Sequence, residues 1–546
     1  MRLLAPRDEP ATLCYLLPGC RGVSLRCSES GPGTRVVVYP RGDTVEGRGS
    51  MTPVESHDGA DAAPRDLVDL PATPAYRAWR TQVALTPSAV HHVVAGDLLR
   101  RLVVAAPEET VTRKGYLREL NELGTSMSAP TVGRAVAELK RRGFLEDGPE
   151  VHRDGRGRRD SALQLTPFVI GVSVSDAPEQ NAPFTTGVSR RVVKSRAVVV
   201  HAVAAGLDGR PEASSETKPV EFHDTDSEAD RDAALVRAIV DVLLEVKWEY
   251  WNDKGGGPLA GIGIMMGGQV HEHRLVHHSP NIGLLDRPLD LPARIAREVE
   301  ARRADLRDTA DRYKLSALDQ LGNAPVLVEN DADAHSRYRA WFGRSAQAET
   351  AMRYVVILLK LDGLGGAFIN AGAAAPVGPF ELGHMVADTT NSSELECRCG
   401  NNGCLEAVVT PRGMARQLGL DGRDGASVSA IAAQFFARVS AGDAQARRIL
   451  HRAAEALGCA IANVMSLGAP EIFYIYAPEE LRTGDFADTV RTVAHARAFP
   501  GVKKAINIHF EALPDHDEDA AAATAQVIDH TLRQFDQSDD DTPAGA

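Results

Sequence analysis

Nowhere do the 546 residues run apolar for the length of about 20 that a bilayer-crossing helix needs, so no membrane partner is expected. The amino terminus also lacks a basic segment followed by a continuous apolar stretch, which leaves the cytoplasm as the expected location. Positive charge is in deficit: 61 Lys and Arg stand against 74 Asp and Glu, a formal net charge of −13. General affinity for nucleic acid or anionic membrane is thereby excluded, and any contact with DNA has to come from a local basic patch. Cysteine is too scarce for a disulfide framework. Three of the seven sit in one loop, Cys459 falls in an expected helix, and Cys14, Cys20 and Cys27 lie in a segment not expected to fold. No short-period repeat occurs. Hydrophobic content of 43% and charge of 25% fit a globular chain, and the length asks for about two to four domains.

The most specific feature present is a histidine followed by a tight cysteine cluster. Glu381-Leu382-Gly383-His384 is followed, after a polar excursion, by Cys397-Arg398-Cys399-Gly400-Asn401-Asn402-Gly403-Cys404-Leu405-Glu406. Three sulfurs and an imidazole at this spacing suit tetrahedral zinc. Gly400 and Gly403 allow the sharp reversal that brings the sulfurs together. Four protein ligands, His384, Cys397, Cys399 and Cys404, leave no coordination position for water, so the expected Zn2+ is structural. The alternative is three unrelated cysteines in a flexible loop.

Residues 1–86 mix Pro, Gly, Arg, Ser and Asp without periodicity and read as a disordered extension, with Met51 a second possible start. Residues 87–166 change to three short amphipathic helices and a hairpin. Thr112 and Ser128 are placed to cap the second and third helices, which a short turn joins into a helix-turn-helix. Ser128, Thr131, Arg134 and Glu138 lie away from the apolar stripe of the third helix, where a recognition helix presents base-reading groups, and Arg134 is the best candidate for readout. Lys140 and Arg141 continue toward phosphate. Arg156, Arg158 and Arg159 crowd the hairpin tip as a basic wing. The alternative is a small helical domain that only contacts protein.

From Pro167 onward strands and helices alternate, the pattern of an α/β fold. Two lobes, 167–320 and 321–536, are expected before an acidic tail at 537–546. Asn330-Asp331 follows the apolar run Val326-Leu327-Val328, so an amide and a carboxylate emerge at the carboxyl end of a strand, where α/β folds bind ligands. The alternative for this pair is an ordinary helix cap.

The Glu-x-Gly-His and Cys-x-Cys-Gly-x-x-Gly-Cys-x-Glu wording resembles the zinc-loop signature of the ROK family of repressors, open reading frames and sugar kinases, and the resemblance extends over roughly residues 87 to 530. It implies two related actin-like (ribonuclease H-like, ATPase-type) lobes facing each other across a sugar cleft, behind a winged helix-turn-helix. It further implies that Asn330 and Asp331 hold the sugar, with Asp331 the general base in a kinase. Glu381, His384 and Glu406 would add hydroxyl contacts, and Asn281 of Ser279-Pro280-Asn281 would add one from the opposite lobe.

Kinases of that family also need turns for the nucleotide phosphates. Ser173 and Ser175 stand where the resemblance expects aspartate and glycine, and the strand ending Tyr476-Ala477-Pro478 lacks paired glycines. Gly363, Gly365 and Gly366 remain as a phosphate-loop remnant. The ATP site is therefore expected to be degenerate, with ATP and Mg2+ doubtful cofactors. The expectation is a sugar-responsive, DNA-binding transcriptional regulator of repressor type, more a sensor than an enzyme. Its partners would be operator DNA, a sugar or phosphosugar effector, and a second copy in a homodimer or homotetramer. The alternatives are an ATP-dependent hexose kinase with an appended DNA-binding domain and a non-enzymatic scaffold.

Overall fold

The computed structural model describes residues 23–28, 35–40, 87–105, 109–122, 125, 127–151, 160–177, 195–216, 219–223, 226–254, 256–279, 288–306, 311–343, 353–370, 375–376, 380–389, 395–420, 426–501 and 507–537. The chain divides into two compact units, Met1–Asp66 and Leu67–Ala546. In the first, β1 (Val23–Ser28) pairs antiparallel with β2 (Arg35–Pro40). The expectation of an extension without structure fails at this hairpin, where Val36, Val37 and Val38 of β2 are β-branched residues that favour extended pairing.

The second unit opens with helices α1 (Pro87–Val103), α2 (Arg113–Glu122) and α3 (Ala129–Arg141) and the antiparallel pair β3 (Leu145–Val151) and β4 (Asp160–Leu165). This is the element order of a winged helix-turn-helix. Thr112 Oγ1 accepts from Gly115 N at 3.0 Å and Ser128 Oγ from Thr131 N at 3.4 Å, so both expected caps form.

Two sheets follow. The first contains β5 (Phe168–Asp176), β6 (Ser195–Gly206), β7 (Pro211–Glu216), β8 (Val220–His223), β9 (Leu259–Met266) and, after the small antiparallel strands β10 (Gln269–His271), β11 (Leu275–His278) and β12 (Leu289–Asp290), β13 (Val326–Asn330). Its order is β13-β9-β5-β6-β7, with β8 also on β6. The second contains β14 (Arg353–Leu359), β15 (Leu364–Asn370), β16 (Ala375–Pro376), β17 (Ile472–Ala477) and β18 (Asn507–Ala512) in the order β16-β15-β14-β17-β18. In both sheets the first strand is antiparallel to the second, the second to the third, and two further strands join parallel on the other side. The fold is thus an α/β arrangement of two actin-like lobes of one topology, a repeat of structure with no short sequence period behind it.

Helix α4 (Asp331–Phe342) starts where β13 ends, and the carboxyl-terminal helix α5 (His516–Gln537) returns to the first sheet. Gly171 and Gly263 let it approach: a Cβ on either would stand 1.9 Å from the carbonyl oxygen of Ala520 or Ala523. Because β13 and α5 both belong with the first sheet, the lobe boundary drawn at residues 320 and 321 is misplaced. Strand pairing carries the first lobe through Asn330, and its covering helix comes from the far end of the chain.

That same helix reaches the winged helix. Leu98, Leu102 and Leu139 share one buried core with Val169 and Leu207 of the first lobe and with Ile528, Leu532 and Phe535 of α5. Buried ion pairs fasten α5 to α4, with His335 Nε2 2.7 Å from Asp519 Oδ1 and Arg337 Nη1 3.1 Å from Asp529 Oδ2. Among the described residues no helix is long and apolar enough to cross a membrane.

Candidate functional site

The cysteine loop closes on itself by short-range bonds. Cys397 N donates to Asn401 O at 2.7 Å, and Gly403 N to Leu395 O at 2.8 Å. Gly400 and Gly403 hold φ of +88° and +75°, and a Cβ on Gly403 would meet Asp388 O at 1.8 Å, so the reversal requires glycine there. A single 3-10 turn, Leu382–His384, brings the imidazole in. The four ligand atoms of His384, Cys397, Cys399 and Cys404 all lie within 4.8 Å of one another. Cys399 Sγ stands 3.6 Å from Cys404 Sγ, and Cys397 Sγ 3.6 Å from His384 Nδ1. A tetrahedron of metal–sulfur bonds about 2.3 Å long has edges of about 3.8 Å, so this cluster could hold a metal ion with little movement.

The loop also feeds the cleft. Glu406, in the first turn of the helix Leu405–Val409, is buried and accepts from Leu364 N at 3.2 Å through Oε2, while its Oε1 lies 3.4 Å from Cys397 Sγ. Arg398, between two of the cysteines, reaches inward to lie 3.5 Å from both Glu406 and Asp362. Arg412 Nη1 takes the other oxygen of Asp362 at 3.0 Å. The turn that leads into the glycines is therefore occupied by the protein's own cations, and Gly363 backs onto Arg398.

Across the cleft, Asn330 caps α4: its Oδ1 accepts from Ala332 N at 2.9 Å and its Nδ2 donates to Gly268 O at 2.8 Å. It is the helix cap weighed as an alternative, and it also lines a cavity. That cavity, about 120 Å³, lies between Gly268 to His271 on one side and Leu364, Gly365, Gly366, Phe380 and Glu381 on the other. Asn330, Glu381, Gly365 and Gly366 are thus brought together around it. Asp331, His384 and Glu406 stay outside its lining, and Asn281 falls outside the described residues.

Asp331 is buried, and Lys360 Nζ stands 2.7 Å from its Oδ2. Burial pushes the carboxyl pKa up, but Lys360 more than reverses this and holds it below the ordinary aspartate value. Burial works against the charge of Lys360 too, and Asp331 and Asp519 nonetheless hold its pKa above the usual lysine range. Both partners are charged, and neither lone pair nor proton is easily given up. Sequence reasoning missed Lys360, Arg398 and Asp333; only the Cys-Arg-Cys wording hinted at a residue delivered by the metal loop.

Where the resemblance expects nucleotide turns, the buried Ser173 and Ser175 hydroxyls have no hydrogen-bond partner among the described residues. Tyr476 accepts from Arg339 Nη1 at 2.7 Å, and the same guanidinium lies 3.3 Å from the centre of the Tyr474 ring.

On the winged helix, Ser128, Arg134 and Arg141 are exposed and Lys140 is half-buried, 2.5 Å from Asp147. Two of the outward-facing assignments are corrected. Thr131 is buried, and its hydroxyl lies 2.8 Å from that of Ser128. Glu138 turns inward to His92 Nδ1 at 2.9 Å and His91 Nε2 at 3.2 Å, both on α1, because a carboxylate one turn from the end of α3 is better neutralised there than left against the core. Arg156, Arg158 and Arg159 fall outside the described residues.

Duplicated actin-like lobes around a cleft, a Cys/His loop bracing one wall and, in front, a helical segment with the element order of a winged helix define the class: a two-lobed α/β domain behind a small helical one. Residues 308–516 match the ROK family model, and the chain carries a ROK family domain. It is 32% identical over 154 residues to N-acetylmannosamine kinases of Shigella boydii serotype 18 and Escherichia coli O1:K1, covering 28% of this chain and 48% of each of those. The chain thus spans about half the length of the curated relatives it matches. A crystal structure of a ROK family transcriptional regulator, a homologue of the E. coli MLC protein, superposes with a TM-score of 0.55 at 17% identity over 82% of this chain and 99% of that one, a likeness of fold.

Proposed function

We propose that the chain is a sugar-responsive DNA-binding transcriptional regulator, of repressor type, whose cleft binds carbohydrate without phosphorylating it. The observation that carries this reading is the course of α5, which lies on the first sheet beside α4, the helix that begins at the cleft, and ends inside the winged-helix core at Phe535. A ligand that changes the angle between the lobes shifts α4, and α5 passes that shift to α3. In a homodimer or homotetramer this moves two reading helices in or out of register with a repeated operator.

The Lys360–Asp331 pair supports the sensor over the kinase. A general base must accept a proton, and a carboxylate held in a buried ion pair is a poor one. Arg398 and Arg412 on Asp362 likewise neutralise the turn where magnesium and phosphate would be organised. The metal is proposed to be Zn2+, bound by His384, Cys397, Cys399 and Cys404 with no open position; it supplies a crosslink that sets Glu406 and Arg398.

Similarity to N-acetylmannosamine kinases favours one competing reading, an ATP-dependent hexose kinase using Asp331. A coupled assay with hexoses, amino sugars and N-acetylated amino sugars plus ATP separates the two. No turnover above background supports the sensor; turnover abolished by Asp331→Ala overturns it.

A further inference from the structure

The cleft contains a carboxyl that no cap, ion pair or metal loop employs. Asp333, in the first turn of α4, lines the cavity with Asn330, Gly366, Phe380 and Glu381. Its Oδ1 is fully buried and has no hydrogen-bond partner among the described residues. Leaving such an oxygen unpaired costs about 1–3 kcal/mol, so a small turn of the carboxyl that presents it to the cavity, where a ligand can donate to it, is favoured.

The surrounding charge narrows the ligand. Neither Lys nor Arg lines the cavity. The cations nearest in sequence and space are engaged elsewhere: Arg337 Nη2 is 2.6 Å from Glu329 Oε1 and Nη1 is 3.1 Å from Asp529, and Lys360 is on Asp331. What faces Asp333 is acidic, with Glu329 from β13, Asp331 from α4 and Glu381 from the opposite wall, Arg337 alone opposing them. Burial first, then these carboxylates, push its pKa up to about 8. A phosphate group would find repulsion here, whereas a cation would restore the ionised carboxylate and gain charge-assisted hydrogen bonds. By volume, about 120 Å³ corresponds to about four waters at their liquid share of about 30 Å³ each, room for the amino-bearing edge of a monosaccharide rather than for the whole ring.

We propose that the cavity selects a monosaccharide carrying a free amino group, with its ammonium seated on Asp333 and Glu381 and its hydroxyls toward Asn330 and the Gly365-Gly366 backbone. The proposal rests on the sugar-sensing reading of the cleft and names its ligand class.

Isothermal titration of the full chain with glucosamine, mannosamine and galactosamine, their neutral parents, their N-acetyl forms and glucosamine 6-phosphate tests it. At least one free amino sugar is expected to bind about tenfold or more tighter than its neutral parent and its N-acetyl form. Asp333→Asn is expected to shrink that preference to about twofold. Neutral, acetylated or phosphorylated sugars binding as tightly as the amine would overturn the amino-sugar assignment and leave sugar sensing intact. Binding of no sugar at all would overturn both. The wild-type comparison decides the matter by itself should the variant fold poorly.

Discussion

Lys360 Nζ and Asp331 Oδ2 lie 2.7 Å apart across the cleft wall, joining the strand edge of the second lobe to the first turn of α4. The aspartate that the resemblance would cast as a base is here one half of a part-buried crosslink between lobes. Removing one partner strands the other: Lys360→Met is expected to lower stability by about 3–5 kcal/mol, and the double change Lys360→Met with Asp331→Leu by much less. Denaturant melts of the three variants check this. Simple additivity of the single effects would show that the two charges are not coupled.

The metal centre should announce itself in composition and in heat. Elemental analysis is expected to find about one zinc per chain, and chelation or Cys404→Ser to cost on the order of several kcal/mol, since the closed loop loses the ion that crosslinks its four ligands. Zinc-free protein melting at the same temperature as the purified form would remove the structural-metal assignment.

Asp333 predicts a pH dependence of known sign. Its folded pKa is raised, so the stability it contributes is complete below about pH 4, where folded and unfolded forms are both protonated, and is lost as the pH climbs toward 8. Asp333→Asn removes this loss. The variant is expected to match wild type near pH 4 and to exceed it by about 1–3 kcal/mol at pH 8. Thermal melts across that range read the difference; a gain that does not grow with pH would place the carboxyl in a solvated setting.

Phe535 joins α5 to the winged helix. Its ring stacks on His92 at 4.8 Å and lies under Arg142 at 4.0 Å. Phe535→Ala is expected to cost about 3–5 kcal/mol. Hydrogen exchange should speed up in α1 and α3 more than in the sheet of the second lobe, and an effector should cease to alter operator binding. Faster exchange spread evenly over both lobes would argue against a mechanical link.

Arg134 and its neighbours separate base reading from phosphate attraction. Arg134→Ala is expected to lose about 1–3 kcal/mol at one operator position and to relax preference there, whereas Arg141→Ala should weaken all sequences alike and flatten the salt dependence. A footprint unaffected by either change would mean that α3 does not enter the groove.

Much of the fold could be read along the chain. The three short helices and hairpin, the caps Thr112 and Ser128 and the alternation of strands and helices after Pro167 all lie where periodicity and capping chemistry put them. The misjudgements have a common cause. Glu138 looked solvent-facing from the helical wheel because the wheel does not contain α1, which supplies His91 and His92. The lobe boundary was misplaced because α5 joins the first sheet after the whole second lobe has intervened. Asp333 was passed over because nothing in Asn-Asp-Ala-Asp distinguishes the carboxyl that is paired from the one that is not.

The sequence alone determined the features set by short spacing: ligands a few residues apart around two glycines, hydroxyls at helix starts, β-branched runs that have to be interior. Chain connectivity leaves such groups few ways to sit. Only tertiary packing decided which distant charges met, Lys360 with Asp331, Arg398 with Asp362, Glu138 with His92. Those pairings depend on how closely whole elements approach, and in a buried cleft they determine whether a carboxylate is a base, a crosslink or an unfilled acceptor.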